Sequence, residues 1–256
     1  MKQPTDSKAD LREALLLGVL LTGYSNGVAL WAVRRGGAPD RVFQALNPVL
    51  TALMLGYASR RPGGVAEVGL RREGLGLSLA AGLGVGLGLA GPPLFFFHKP
   101  LVLDSPLEYG PISSFTRREM LVDVLWRVPV GVALLEELGF RGLLYAALRR
   151  SLPAWAAVAG SALAFGGWHF MVTATSAAQT NLGDARLPRF LKPHVQPLAV
   201  AGGMLTTGVA GLAFGALRER TGNLAGPMVA HWLVDALMTV ALWRRGRSLP
   251  RPTESS

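Results

Sequence analysis

Seven long apolar runs dominate the sequence and limit what the chain can fold into. They cover residues 14–33, 43–58, 75–97, 120–148, 154–178, 198–217 and 224–243. A bilayer core about 30 Å thick is crossed by roughly 20 helical residues. Because backbone groups in lipid must be satisfied internally, only α-helices and closed barrels span it. Helix-length runs therefore predict an all-α, polytopic membrane helix bundle of about seven spans, with a range of six to eight.

The composition supports a multi-pass integral membrane protein. Half of the 256 residues are hydrophobic, 16% are charged, and the mean hydropathy is +0.34. The net charge is +10, but the basic residues lie in short clusters between the apolar runs, as expected at a membrane interface. We therefore expect the lipid bilayer, and no nucleic acid, as a partner, in the cell membrane if the source is prokaryotic. The absence of cysteine excludes disulfides, thiolate nucleophiles and zinc–thiolate sites.

The polar residues divide the chain into three predicted parts. Residues 1–119 form a polar tail and three spans that carry little beyond hydropathy. Residues 120–243 form a four-helix core that contains the ionisable residues of the spans. Residues 244–256 are basic and contain proline, which predicts a disordered tail. The loop at 98–119 contains prolines and is expected to include a short interfacial helix.

Three ionisable residues lie within six positions of the fourth run: Glu136, Glu137 and Arg141. Each costs about 2.5–3.5 kcal/mol to insert at the bilayer centre, so such residues are expected to be functional or paired. Residues four apart share a helix face, whereas adjacent residues diverge by about 100°. The spacing predicts a structural ion pair between Glu137 and Arg141. Glu136 has no intrahelical partner and is the stronger candidate for chemistry.

Two further polar pairs lie in the fifth and seventh runs. Phe165 and His169 are four residues apart, which predicts that the phenyl ring lines the same interior pocket as the imidazole. His231 and Asp235 repeat this spacing. If the three helices converge, one site receives Glu136, two imidazoles and a second carboxylate.

Two chemistries fit such a site. In the first, Glu136, His169 and His231, with or without Asp235, bind Zn²⁺, and the pKa of a bound water falls to about 7. In the second there is no metal: Glu136 and His169 deprotonate water while His231 and Asp235 hold the oxyanion or orient the substrate. The spacings allow both. Glu137 is a candidate for catalysis as well as for the ion pair.

Other polar residues have simpler interpretations. Asp123 and Arg127 are four apart and are expected to pair near the interface. Asn26 and Asn47 are expected to form hydrogen bonds between helices. Trp232 is expected to pack. None of these residues is assigned to the site.

The three motifs together resemble a known family. Glu-Glu-x-x-x-Arg, Phe-x-x-x-His and His-x-x-x-Asp/Asn, in this order on successive membrane helices, resemble the CPBP family of intramembrane proteases. That family includes the eukaryotic CAAX prenyl endopeptidase and bacterial bacteriocin-immunity (Abi) proteins. The context is also similar, because the family's third motif is preceded here by Gly211-Leu212-Ala213-Phe214-Gly215, Thr221-Gly222-Asn223-Leu224 and Pro227. The resemblance covers residues 120–240.

The resemblance implies peptide-bond hydrolysis within or near the membrane. The matching positions are Glu136, Glu137, Arg141, His169, His231 and Asp235. By family convention it also implies a metalloprotease, and so Zn²⁺ as a cofactor. The implied substrate is a membrane-associated peptide or protein terminus, either prenylated or bacteriocin-like.

The chain departs from the prenyl proteases at Asp235, where they carry Asn. An ionised carboxylate cannot donate to an oxyanion, so Asp235 is expected to orient His231 or to bind metal. The alternative to an enzyme is a non-catalytic membrane protein. It would be an immunity or scaffold protein, or a transporter that relays protons through the same carboxylates and histidines.

Overall fold

The computed structural model describes residues 7–37, 39–98, 107–184 and 188–248, and the elements of this part of the chain are all helices, joined by turns and loops. The principal helices are α1 (Ser7–Arg34), α2 (Pro39–Ser59), α3 (Leu75–His98), α4 (residues 117–151), α5 (Ala154–Trp168), α6 (Phe170–Ala177), α7 (Val195–Thr221) and α8 (Ala225–Ser248). Short helical turns lie at Gly64–Glu67, Gly110–Ser113, Asn181–Asp184 and Lys192–His194. The predicted all-α architecture is confirmed.

Six helical segments in the described ranges are long and apolar enough to cross a membrane. They are Lys8–Arg34, Pro39–Ser59, Leu75–Phe95, Ala154–Ala177, Lys192–Thr221 and Ala225–Arg247. The helix α4 lies between the third and fourth of these segments and carries the polar residues of the site. With α4 included, the described helices agree with the prediction of about seven spans, and the chain is a multi-pass integral membrane protein.

The helix α4 is irregular around its two adjacent carboxylates. Asp123–Ala133 and Leu138–Leu144 are π-helical, and the single α-turn between them, Leu134–Glu137, contains both Glu136 and Glu137. Pro129 lies inside the first π segment and has no N–H to donate. Wide π turns inside α-helices are frequent at functional sites. Within residues 123–144, the 3.6-residue period assumed from the sequence therefore holds only over Leu134–Glu137.

The fifth span is divided into α5 and α6 at His169. This residue has φ −85° and ψ 1°, and its N–H donates to Gly166 O at 3.2 Å, three residues back. The sequence predicted one continuous run here because every residue around His169 is compatible with a helix. The break changes the direction in which Trp168 and His169 project.

The last helix, α8, is longer than the apolar run predicts. Residues 244–248 continue it to Ser248, so the first part of the expected disordered tail is helical, and residues 249–256 lie outside the described part. The extension packs against the turn Gly110–Ser113. The indole N–H of Trp243 donates to Phe115 O at 2.9 Å, and the Arg247 guanidinium lies 4.7 Å from the Trp243 ring centroid.

A glycine contact sets the distance between α3 and α8. A Cβ added at Gly82 would lie 2.9 Å from the Cα of Gly226, closer than real Cβ atoms approach. Gly84, on the same helix, has nothing within 4 Å of such an atom. Close approach through small residues is a common basis of helix association in lipid. Because α8 also carries His231, this contact helps to position that imidazole within the bundle.

The glycine contact predicts different outcomes for two alanine substitutions on one helix. Gly82→Ala should lower stability by about 1–3 kcal/mol, because the new methyl group meets backbone that cannot rotate away. Gly84→Ala is the matched control and should be neutral or slightly stabilising, because alanine favours helix. Thermal unfolding in detergent, followed by tryptophan fluorescence, measures both. Equal unfolding temperatures for the two variants would contradict the close contact.

Candidate active site

Three helical elements bring the predicted site residues to one point. Glu136 lies on α4, His169 at the α5–α6 junction and His231 on α8. The Nε2 atoms of His169 and His231 lie 3.7 Å and 3.8 Å from Glu136 Oε2. Only 7% of Glu136 and 6% of His231 is exposed. The structure thus gathers one carboxylate and two imidazoles in a space largely closed to solvent.

Glu137 points away from this space and contacts two other groups. Its Oε1 accepts from Arg141 Nη1 at 3.0 Å, the pair that the i,i+4 spacing predicts, and both side chains have no exposed surface. The same oxygen lies 2.8 Å from His231 Nδ1. Because a carboxylate beside a guanidinium is an acceptor, His231 Nδ1 is the donor. The sequence did not reveal this second contact, since its two residues lie 94 positions apart on different helices.

Aromatic rings surround the Arg141 guanidinium. Its central carbon lies 4.0 Å from the ring centroid of Phe165 and 5.2 Å from that of Phe214. Cations over ring faces are attracted by the π electrons, most strongly when desolvated. Phe165 also contacts His169, with 4.6 Å between ring centroids. The predicted pocket residue therefore supports both the buried arginine and the imidazole, and it lines the cavity with a side chain that is almost fully buried.

The hydrogen bond of His169 defines its tautomer. Its Nδ1 lies 2.8 Å from Phe165 O, one turn earlier in α5. A carbonyl oxygen can only accept, so Nδ1 carries the proton. In the neutral ring Nε2 is then an acceptor, and it faces Glu136 Oε2.

Trp168 belongs to the site and was missed by the sequence analysis. Its indole N–H donates to Glu136 Oε1 at 3.1 Å. Glu136 Oε2 is buried and has no hydrogen-bond partner among the described residues. In a regular helix Trp168 and His169 would diverge by about 100°. The helix break is what lets two adjacent residues reach one carboxylate, and the Gly166-Gly167 pair that precedes it is a local signal of such a break.

Asp235 lies on the more open side of the site. Its Oδ2 is 3.5 Å from His231 Nε2, and 38% of its side chain is exposed. His231 therefore has a carboxylate near each ring nitrogen, Glu137 at Nδ1 and Asp235 at Nε2. As an imidazolium it can donate from both nitrogens.

A cavity of about 810 Å³ contains the site. Its lining includes Glu136, His169, His231 and Asp235, but neither Glu137 nor Arg141 is among the described residues that line it. From the site the cavity extends to the α1–α2 turn and to the loops on either side of α4–α6, through Asp40, Tyr109 and Gln179.

The two loops join each other beside the cavity. Gly110 N–H donates to Gln179 O at 3.3 Å, and Glu108 N–H donates to Asn181 Oδ1 at 2.9 Å. The α1–α2 turn and both loops line this cavity, and Asp40 and Gln179 are exposed, so the cavity approaches the surface there.

The polar residues are not arranged as a metal centre. Within the described ranges, no group of three or more His, Cys, Asp or Glu side chains has the geometry to hold a metal ion. Tetrahedral zinc ligands at about 2.0–2.1 Å from the metal lie roughly 3.4 Å from one another. The distances from Glu136 Oε2 to the two imidazoles, 3.7 and 3.8 Å, are longer. We therefore derive no chemical step through a metal, and metal removal is used below to test zinc dependence.

Buried carboxylates and imidazoles around a cavity between membrane-spanning helices define a membrane-embedded site suited to acid–base chemistry. Residues 119–237 match the family model described as type II CAAX prenyl endopeptidase Rce1-like, and the match includes all six motif positions. Over these residues the chain is similar to the CAAX-type intramembrane proteases that the motifs predicted. Searches of curated proteins and of solved structures found no match.

The buried ion pair predicts the outcome of removing one charge. Arg141→Met should destabilise the protein by about 3–5 kcal/mol, because Glu137 is left as an uncompensated buried charge. Adding Glu137→Gln should recover most of this loss, since the amide oxygen still accepts from His231 Nδ1. Denaturant unfolding in detergent measures both variants.

The matched control is the exposed pair between Arg149 and Glu219, whose atoms lie 3.4 Å apart. Arg149→Met should cost less than about 1 kcal/mol, as exposed pairs usually do. A double variant at Glu137 and Arg141 as unstable as Arg141→Met alone would contradict the assignment of the cost to an unpaired carboxylate.

Proposed function

We propose that the protein hydrolyses a peptide bond of a membrane-associated substrate, with Glu136 and His169 acting directly on a water molecule. The observation that carries this proposal is the position of Glu136 Oε2. It is buried, faces the Nε2 atoms of two histidines at 3.7 and 3.8 Å, and opens on the cavity. The family match supports the reaction class.

Two acceptors hold the attacking water in this proposal. A water oxygen within about 2.6–3.2 Å of both Glu136 Oε2 and His169 Nε2 donates one hydrogen to each. Its lone pair is then free to attack the carbonyl carbon of the substrate. As the C–O bond forms, Glu136 takes the proton and the carbonyl becomes a tetrahedral oxyanion. Trp168 keeps Oε1 fixed, so that Oε2 acts as the base.

His231 stabilises the oxyanion in the same scheme. Glu137 holds Nδ1 by accepting its proton, and the Nε2–H of the imidazolium donates to the oxygen that gains charge. The tetrahedral intermediate collapses when the C–N bond breaks and Glu136 returns its proton to the leaving amine. Water and one peptide bond give one carboxylic acid, which keeps the second water proton, and one amine, with no co-reactant.

The cavity supports an extended and largely apolar substrate. At about 810 Å³ it lies near the upper end of typical ligand pockets. Apolar residues in its walls include Val33, Phe43, Val132 and Met238. Two charged residues, Arg127 and Asp40, also line it. A peptide terminus that carries apolar side chains, a prenyl group or a bacteriocin-like sequence suits these walls.

Substitution of the proposed base tests the mechanism. Glu136→Gln and His169→Ala should each lower kcat by about 10²–10⁴-fold, because the first removes the base and the second removes an acceptor that holds the water. The assay uses purified protein in lipid nanodiscs and a fluorogenic peptide library, prenylated and unprenylated. Glu219→Gln, at the exposed end of α7, is the control and should leave kcat unchanged. Cleavage that survives both site substitutions would exclude this mechanism.

Metal removal separates the direct mechanism from a zinc-dependent one. We expect the chelator-treated protein, with metal content checked by mass spectrometry, to retain kcat. Loss of activity that returns on adding Zn²⁺ would overturn the direct mechanism in favour of Glu136, His169 and His231 as ligands. A wild-type protein that cleaves no library member would favour the non-catalytic alternatives, an immunity protein, a scaffold or a proton-coupled transporter.

Asp235 is proposed to hold the Nε2–H of His231 toward the cavity until the developing oxyanion replaces it as the acceptor, which predicts a contrast between two substitutions. Asp235→Asn keeps an acceptor oxygen near His231 Nε2 and should change kcat by less than about tenfold. Asp235→Ala removes the acceptor and should lower kcat by about 10²-fold, the usual effect of a misplaced catalytic group. Steady-state kinetics on one cleaved peptide measures both. Equal kcat values for the two variants would contradict the orienting role.

A further inference from the structure

We propose that Asn26, in α1, is a positioning residue for His169, because its side-chain amide is inserted into the helix break at that histidine. The catalytic part of this inference rests on the proposed function. Asn26 lies outside residues 119–237 and outside all three motifs. The first span would therefore contribute to the geometry of the site.

The evidence is a pair of hydrogen bonds at the break. In an unbroken α-helix the N–H of Met171 would donate to the carbonyl of Gly167, four residues earlier. Here the Met171 N–H donates to Asn26 Oδ1 at 2.9 Å, and Asn26 Nδ2 donates to Gly167 O at 2.9 Å. One side-chain amide thus replaces both partners of the missing helical bond. Insertion of a side chain into the hydrogen-bond ladder is a known cause of helix kinks.

The amide is itself held in a fixed orientation. Asn26 Nδ2 also donates to Thr22 O at 2.8 Å, one turn earlier in α1. The helix α1 packs against both α5 and α6. The two halves of the fifth span are therefore joined through a third helix, and the angle between them depends on the position of Asn26.

The break is what directs His169 to the site. Trp168 Nε1 lies 3.1 Å from Glu136 Oε1, and His169 Nε2 lies 3.7 Å from Glu136 Oε2. Adjacent residues of a regular helix cannot both face one carboxylate. If the amide is removed, Met171 N–H and Gly167 O can bond to each other, and the fifth span can become a regular helix. Such a helix would be folded, but His169 would be turned away from Glu136.

This reasoning separates positioning from a purely structural role. Asn26→Leu is close in size but forms no hydrogen bonds, and Asn26→Asp keeps the acceptor for Met171 while losing the donor to Gly167. Trp243→Phe is the matched control, since it removes one half-buried bond from a side chain to a backbone carbonyl, Phe115 O, remote from the break. All three variants are made in the full chain in lipid nanodiscs.

The first readout does not depend on proteolysis. Mass spectrometry follows the rate at which diethyl pyrocarbonate modifies His169, with His231 as the internal reference. In Asn26→Leu we expect the rate at His169 to change at least threefold relative to His231, and in Trp243→Phe we expect no change. Asn26→Asp should give an intermediate change, and it replaces Asn26→Leu if the leucine variant does not fold.

The second readout is kinetic. Asn26→Leu should lower kcat by about 10²-fold and change KM less than threefold, because the reacting group is displaced while the substrate cavity is kept. Unchanged His169 reactivity in a folded Asn26 variant, or an equal loss of kcat in Trp243→Phe, would overturn the inference. A shift in His169 reactivity with no cleavage by the wild type would support the positioning role and reject the proposed function.

Discussion

The buried carboxylate of Glu137 is the group on which the centre of the molecule depends. It has no exposed surface, and a charge in that position is tolerated only when charged or hydrogen-bonding partners compensate for its desolvation. Two partners do so through one oxygen: Arg141 from the next turn of α4, and His231 from α8. The first contact makes the charge tolerable within its own helix. The second ties α8 to α4, so the electrostatic requirement of Glu137 also determines where an imidazole of the site lies.

The irregular backbone around the site follows from the same environment. In lipid, non-helical backbone is found only where protein or a cavity satisfies its polar groups. Asn26 satisfies backbone groups at the His169 break. Asn47 satisfies one in the first π segment, where it donates to Gly131 O at 2.6 Å. Its own oxygen accepts from the Tyr24 hydroxyl at 2.6 Å. Both amides come from the first two spans. These spans therefore complete the hydrogen bonding of the helices that carry Glu136 and His169.

The spans and the polar pairs are local features, and the sequence predicted them. Contacts between helices could not be predicted from it. The length of an apolar run is a local property, so the seven spans were recognised, and so was the i,i+4 relation of Glu137 to Arg141. Trp168 was missed because its contact with Glu136 needs a helix break, and the Gly166-Gly167 pair just before it was interpreted as part of one continuous span. The role of Glu137 at His231 was missed for a related reason, since the contact joins α4 to α8. The C-terminal end of α8 was predicted to be disordered because its residues are basic, and the sequence did not show that they pack against Gly110–Ser113.

The division between Glu136 and Glu137 shows how adjacent, chemically identical residues acquire different roles. Their side chains leave α4 in directions about 100° apart, so only one of them can reach a given space. Glu136 opens on the cavity, and one of its oxygens has no hydrogen-bond partner among the described residues. Glu137 does not line the cavity and is paired with Arg141 and His231. A base needs an oxygen free to accept a proton, and an anchor needs one that is already paired. Around α4, Glu136 meets the first need and Glu137 meets the second. Glu137 also holds His231, the histidine that faces Glu136.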